Sequence, residues 1–71
     1  IDFELGEEYK DEIQITFFDI RGRVVETIDK NSLKVGYNSL SWNANNLSNG
    51  IYFIEFKAAD KRIINKLTLL K

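Results

Sequence analysis

Residues 45–56, NNLSNGIYFIEF, run from amides and a serine through Gly50 straight into aromatic and β-branched residues. The second half reads as a strand. Tyr52, Ile54 and Phe56 lie on one face, Ile51 and Phe53 on the other. Apolar residues on both faces of its first half predict a central strand. The order Leu47, Gly50, Tyr52 predicts how the loop enters it. A tyrosine near the start of a sandwich strand can bond its hydroxyl to backbone a few residues upstream and pin a corner. In that reading Leu47 plugs the end of the core. Gly50 supplies a backbone conformation costly for other residues, and Tyr52 ties the loop to the strand.

The same two-residue period recurs outward from this stretch. IDFEL (1–5) turns Ile1, Phe3 and Leu5 inward and Asp2 and Glu4 outward. EEYKDE (7–12) is a polar connection. EIQITFF (12–18) sets Ile13, Ile15 and Phe17 against Gln14 and Thr16. DIRG (19–22) is a turn, with Gly22 at the position that needs positive φ. RVVETI (23–28) is a third short strand. DKNSLKVG (29–36) is a loop with a helical turn capped by Asn31 or Ser32. YNSLSW (37–42) alternates again, and Leu40 and Trp42 belong on its buried face. ADK (59–61) is a tight hairpin turn, and RIINKLTLL (62–70) is the closing strand. No segment sustains a 3.6-residue apolar stripe over three turns. Short strands at roughly 8–12-residue spacing predict an all-β antiparallel sandwich of about six to seven strands. Residues 1–71 form one domain, without internal repeats.

Composition narrows the function by exclusion. With 71 residues the core is thin. There is no Cys and no His, so thiolate chemistry, disulfides and the imidazole base or ligand are all missing. No apolar run approaches the ~20 residues of a membrane span. A net charge of −1 leaves no electrostatic footprint for nucleic acid. Ile1 is not a natural start, so the chain reads as a fragment and the lack of a leader says nothing of compartment. Charge is uneven. Residues 1–12 hold six acids and Lys10 alone, whereas residues 13–71 hold nine bases and five acids. The plain expectation is solvated faces and cross-strand ion pairs; the sharper one is a basic face for an acidic partner.

Candidate sites are few. Trp42, Tyr37 and the asparagine cluster could stack and bond a sugar, but Trp42 sits on the buried face. Asn43, Asn45 and Asp19 could offer oxygens to calcium, without the dense acid spacing of an EF-hand loop. Asn46-Leu47-Ser48 matches the glycosylation acceptor pattern, with Leu47 wanted for the core. The pairs Glu7/Glu8 and Asp11/Glu12 would need a shaped pocket for acid–base work, and a sandwich this small has little room for one. No cofactor or metal site and no catalytic residue is expected.

Taken in order, IDFEL, ITFFDIRGRVV, GYNSLSW, NLSNGIYFI and KLTLLK carry more than physics. The set resembles the type A C-terminal sorting domain of the type IX (Por) secretion system of Bacteroidota, over essentially all 71 residues. Asp19-Ile20-x-Gly22 with Val24-Val25, and residues 46–53, are its strongest motifs. The resemblance implies an Ig-like, fibronectin-like sandwich that is covalently part of a larger cargo protein. It implies passage through the periplasm, recognition by outer-membrane secretion machinery, and a secreted or cell-surface destination. In many such cargos a sortase-like peptidase removes the domain and attaches the cargo to surface lipopolysaccharide. The domain is then a substrate and not an enzyme. By the same resemblance, recognition falls on Lys66, Leu67, Leu69, Leu70 and Lys71 and on the Gly36 and Gly50 segments. One departure stands out. The Asn-Pro segment and short strand that commonly precede the IDFEL equivalent are not present, so the resemblance implies a domain without its first strand and a sheet edge open to dimerisation or strand exchange. The Ig-like module of flagellar hook-capping proteins is the nearest confusable family, and the KLTLLK ending favours sorting. The rival reading is a structural or carbohydrate-binding accessory sandwich of an extracellular enzyme.

Overall fold

The computed structural model describes residues 1–42 and 44–71. Six strands form two antiparallel sheets. Strand β1 (Asp2–Leu5) pairs with β4 (Gly36–Ser39). Strands β2 (Gln14–Asp19), β3 (Val24–Ile28), β5 (Gly50–Ala58) and β6 (Lys61–Leu69) form the second sheet in the order β3-β2-β5-β6. The only helical turns among the described residues are 3₁₀, at Glu7–Tyr9 and Lys30–Ser32. The all-β sandwich expected from the strand spacing is what the chain forms, and β5 is internal to its sheet as its two apolar faces predict.

Alternation decides which side of each strand is covered. Ile13, Ile15 and Phe17 are buried on β2 and its approach, while Gln14 is exposed. Tyr52, Ile54 and Ala58 are buried on β5. Leu5 and Leu33 close the core from the other layer, and Phe3, Leu40, Trp42, Phe56 and Leu67 pack around it half-buried. Trp42 stacks on Phe17 with ring centroids 5.2 Å apart and meets Tyr52 edge-on at 5.3 Å. These pairs add to the area the rings bury. Strand β4 stops at Ser39, yet its ladder reaches one step on: Leu40 N donates to Ile1 O at 2.7 Å.

Three local details differ from the sequence reading. The cap of the second 3₁₀ turn is Asp29, not Asn31 or Ser32; its carboxylate accepts from Asn31 N at 2.9 Å. A carboxylate one residue ahead of the turn reaches the unpaired N–H, and the later side chains cannot. Asn38 is fully buried, which the alternation implied but its polarity hid. Its amide accepts from Lys34 N (3.0 Å) and donates to Lys34 O (2.7 Å) and Gly36 O (3.3 Å), so the burial leaves no polar atom of that amide unpaired. The acids of the N-terminal stretch lie on exposed, solvated positions, and among the described residues they form no ion pair with the basic remainder. The two ion pairs among the described residues are Asp19–Arg23, inside one turn, and Glu55–Arg62, across β5 and β6.

The two layers are unequal, and this matters for the site. Two short strands cannot cover four. The β5–β6 register places Leu67, Asn65, Ile63 and Lys61 beside Tyr52, Ile54, Phe56 and Ala58, so these β6 residues point to the core side. Ile63 is nevertheless 61% exposed. A groove of about 440 Å³ runs between β1 and this inner face of β6, walled by Phe3, Leu5, Tyr9, Phe56, Ile63 and Leu67 among others. The sandwich is therefore open on one side. The radius of gyration, 12.4 Å, exceeds the roughly 11 Å of a compact chain this long.

Candidate recognition surface

Strand β6 is an edge. It runs nine residues without a bulge against β5, and seven of the nine are exposed. Its far side offers unpaired backbone N–H and C=O groups over its whole length. The outer face carries Arg62, Ile64, Lys66 and Thr68, and the inner face ends in Leu67 and Leu69, both half-buried. Just beyond, Leu70 is 81% exposed. Five of the residues singled out in the sequence (Lys66, Leu67, Leu69, Leu70 and Lys71) therefore lie on one edge strand and its continuation.

Gly50 faces Leu69 across the last pair of the β5–β6 ladder. Its φ of +150° is a conformation that side chains resist, with open space where a Cβ would stand. The requirement for glycine is thus one of backbone angle and not of room. Gly36, at φ +97°, starts β4 opposite Leu5 and lies in the other sheet. The structure does not bring Gly36 together with the β6 residues.

The corner ahead of β5 is built from one bond. Tyr52 Oη donates to Ser48 O at 2.7 Å, four residues upstream. Leu47 is half-buried and stands outside the core cluster; it lines a shallow cleft with Asp19, Arg23, Val25 and Tyr52. Leu40 and Trp42, the latter stacked on Phe17, pack against that cluster.

The other candidates disperse. Asp19 braces its own turn: Oδ1 accepts from Arg21 N and Arg23 N at 2.9 Å each, and Oδ2 from Arg23 Nε at 2.8 Å. Those bonds, the Arg23 amide first, hold its carboxyl below the usual range. Gly22 at φ +83° completes the turn. Asn43 of the calcium reading lies outside the described residues, and among those described no cluster of three or more acids, histidines or cysteines could hold a metal. Tyr37 is 57% exposed on the outer face of β4, where the Ser39 hydroxyl first, and the Tyr37 hydroxyl after it, hold the Asp2 carboxyl below its ordinary value. Trp42 faces the core, so the two rings form no shared platform for a sugar. No helix among the described residues is long and apolar enough to cross a membrane.

What sequence reasoning missed is the second partner of the loop. Lys71 N donates to Asn49 Oδ1 at 2.9 Å, and Lys71 Nζ donates to Asn45 O at 2.9 Å. No local pattern announces a contact between residues more than twenty positions apart.

Compared with known families, residues 1–70 match the model described as the secretion system C-terminal sorting domain of the Por system. No curated protein and no solved structure matches the chain.

Proposed function

The chain belongs to the Por secretion-system C-terminal sorting family, and from that premise we propose that the machinery reads it along β6 and the two residues that follow. As a member it is a non-catalytic sorting domain of type IX cargo, secreted or at the cell surface, and it engages the Por machinery as part of a cargo protein. The observation that carries the reading is the exposed, unbulged edge of β6, with Leu70 beyond it. A partner strand laid along that edge gains main-chain bonds, and the alternating side chains Lys66, Leu67 and Leu69 give it specificity. Gly50 acts by shaping the segment that flanks this surface, and Gly36, in the other sheet, has no part in it. A sortase-like peptidase would meet the domain as a substrate. The accessory-sandwich alternative loses its main support with the burial of Trp42.

We assign the groove between β1 and β6 to one further strand, from chain upstream of Ile1. Ile1 lines the groove, and Ile1 N donates to Leu40 O at 3.0 Å, so that chain would enter at the groove's end. While the groove stays uncovered, two copies could associate or exchange strands there.

The test is a secretion assay. The domain with its natural upstream segment is fused behind an export signal and a fluorescent reporter, in a host with a working type IX system. The reporter is expected outside the cell and is lost from there when the system is disabled. Deleting residues 69–71 should leave a folded fusion in the periplasm. Export of the truncated fusion at the normal rate would refute the β6 assignment.

A further inference from the structure

The β5–β6 ladder ends where Gly50 faces Leu69. Gly50, at φ +150°, is the first residue of β5, so Asn49 lies outside the strand. The side chain of Asn49 supplies an acceptor there. Its Oδ1 accepts from Lys71 N at 2.9 Å, two residues beyond the last pair of the ladder. The Lys71 ammonium then reaches across the same loop to Asn45 O, also at 2.9 Å.

The loop that receives these two bonds is itself held. Tyr52 Oη grips Ser48 O at 2.7 Å, next to Asn49, and Leu47 N donates to Ala44 O at 3.0 Å. A chain of bonds thus runs from a buried ring on β5 through Ser48 and Asn49 to Lys71. Leu70 lies between two fixed points, Leu69 in the ladder and Lys71 on the loop. It is 81% exposed, the highest value among the exposed large apolar residues. A free tail would wave this side chain, and a partner would have to order it on binding. A clamped tail presents it already ordered, which lowers that cost.

We propose that Asn49 is a positioning residue for the sorting signal, and that the secretion machinery reads Leu70 and Lys71 together with the loop at residues 45–49 as one discontinuous surface. This rests on the β6 reading above and deepens it. The loop sequence then has two duties: its serine carbonyl receives the corner tyrosine, and its asparagine holds the segment that is read.

The experiment uses the same reporter fusion. Asn49→Ala removes the acceptor, and Asn49→Asp keeps an oxygen in its place. Lys71→Ala and Lys71→Pro both lose the ammonium, but only Lys71→Pro loses the N–H. Asn49→Ala is expected to lower the initial export rate about fivefold, the net worth of one hydrogen bond. Asn49→Asp should restore it. Asn49 and Lys71 are exposed and lie beyond the last pair of the β5–β6 ladder, so the lost bond frees residues 70–71 locally and the thermal midpoint of the fusion should stay in place for all four. Lys71→Pro should export less than Lys71→Ala, and that gap should vanish in an Asn49→Ala background. Two results overturn the proposal. Asn49→Ala exported at the normal rate, while deletion of residues 69–71 blocks export, removes the clamp and leaves the β6 reading standing. Normal export of both removes the β6 reading and the clamp with it.

Discussion

Replacing Tyr52 by Phe deletes one oxygen and almost nothing else. The ring is 7% exposed and rests edge-on against Trp42 at 5.3 Å, so the phenylalanine keeps its burial and its aromatic contact. What goes is the 2.7 Å bond to Ser48 O. The size of the loss depends on what that carbonyl does next. Were it sealed from water, an orphaned acceptor would cost up to about 3 kcal/mol. Ser48 is exposed, so water can take the place of the hydroxyl. The expected destabilisation is then the net worth of one bond, about 1 kcal/mol. For a domain of this size that is a fall of roughly 4–8 °C in Tm. Denaturant unfolding followed by the fluorescence of Trp42, the single tryptophan, measures it directly. The slope should stay constant while the midpoint moves, because the same surface is exposed on unfolding. An unchanged midpoint would show that the hydroxyl contributes nothing to the corner, and the argument from it would fail.

Two further outcomes follow from backbone and charge. Gly50→Ala meets open space but must adopt φ +150°, so a cost of about 1–3 kcal/mol is expected from strain alone. Gly6→Ala is the contrast: φ is −72°, the nearest atom is the flexible end of Glu8, and denaturation should be nearly unchanged. Asp19 sets an acid limit. Its folded carboxyl titrates below the ordinary value, first through the Arg23 amide, so the unfolded chain takes up the proton more readily. The stability it contributes is complete above about pH 4, near the unfolded value, and is lost as pH falls through the lower folded value. A pH series of unfolding midpoints should therefore show a shallower acid fall for Asp19→Asn than for the wild type. Identical acid limbs would refute the role given to the turn.

Most of the sheet architecture was legible because a strand announces itself locally. The period of two in 13–17 and 52–56 names the buried faces without knowledge of any neighbour. The turn at Gly22 and the bond from Tyr52 to Ser48 span four residues or fewer, so their signals also lie within reach of a short pattern. The features that escaped are those that alternation along one strand does not encode. Ile63 obeys the alternation and points to the core side, yet it is exposed because β1 and β4 do not extend over it. Asn38 looks like a surface residue until the tight turn from Lys34 to Gly36 gives its amide three partners. The clamp on Lys71 depends on the ladder register between β5 and β6, which no spacing in the sequence specifies.

The charges on β1 and β6, the edge strands that flank the groove, bear on what fills it. The β1 edge carries Asp2 and Glu4, and β6 carries Lys61, Arg62 and Lys66 with no acid among them. Paired strands lie about 4.8 Å apart, inside the screening length of roughly 8 Å at physiological salt. A second copy laid β1 against β1 would set Asp2 opposite Glu4 when centred on Phe3, and like charges directly opposite are destabilising. Laid β6 against β6, it would bring three cations against three. The pairing that charge favours is β1 of one copy on β6 of the next, a head-to-tail contact that need not close and can propagate. One strand of the same chain in the groove would cover the β1 edge and the inner face of Ile63 together, and so remove half of that contact. It would leave the outer edge of β6 as the single open edge on that side, cationic toward another copy and available to a neutral or acidic partner strand.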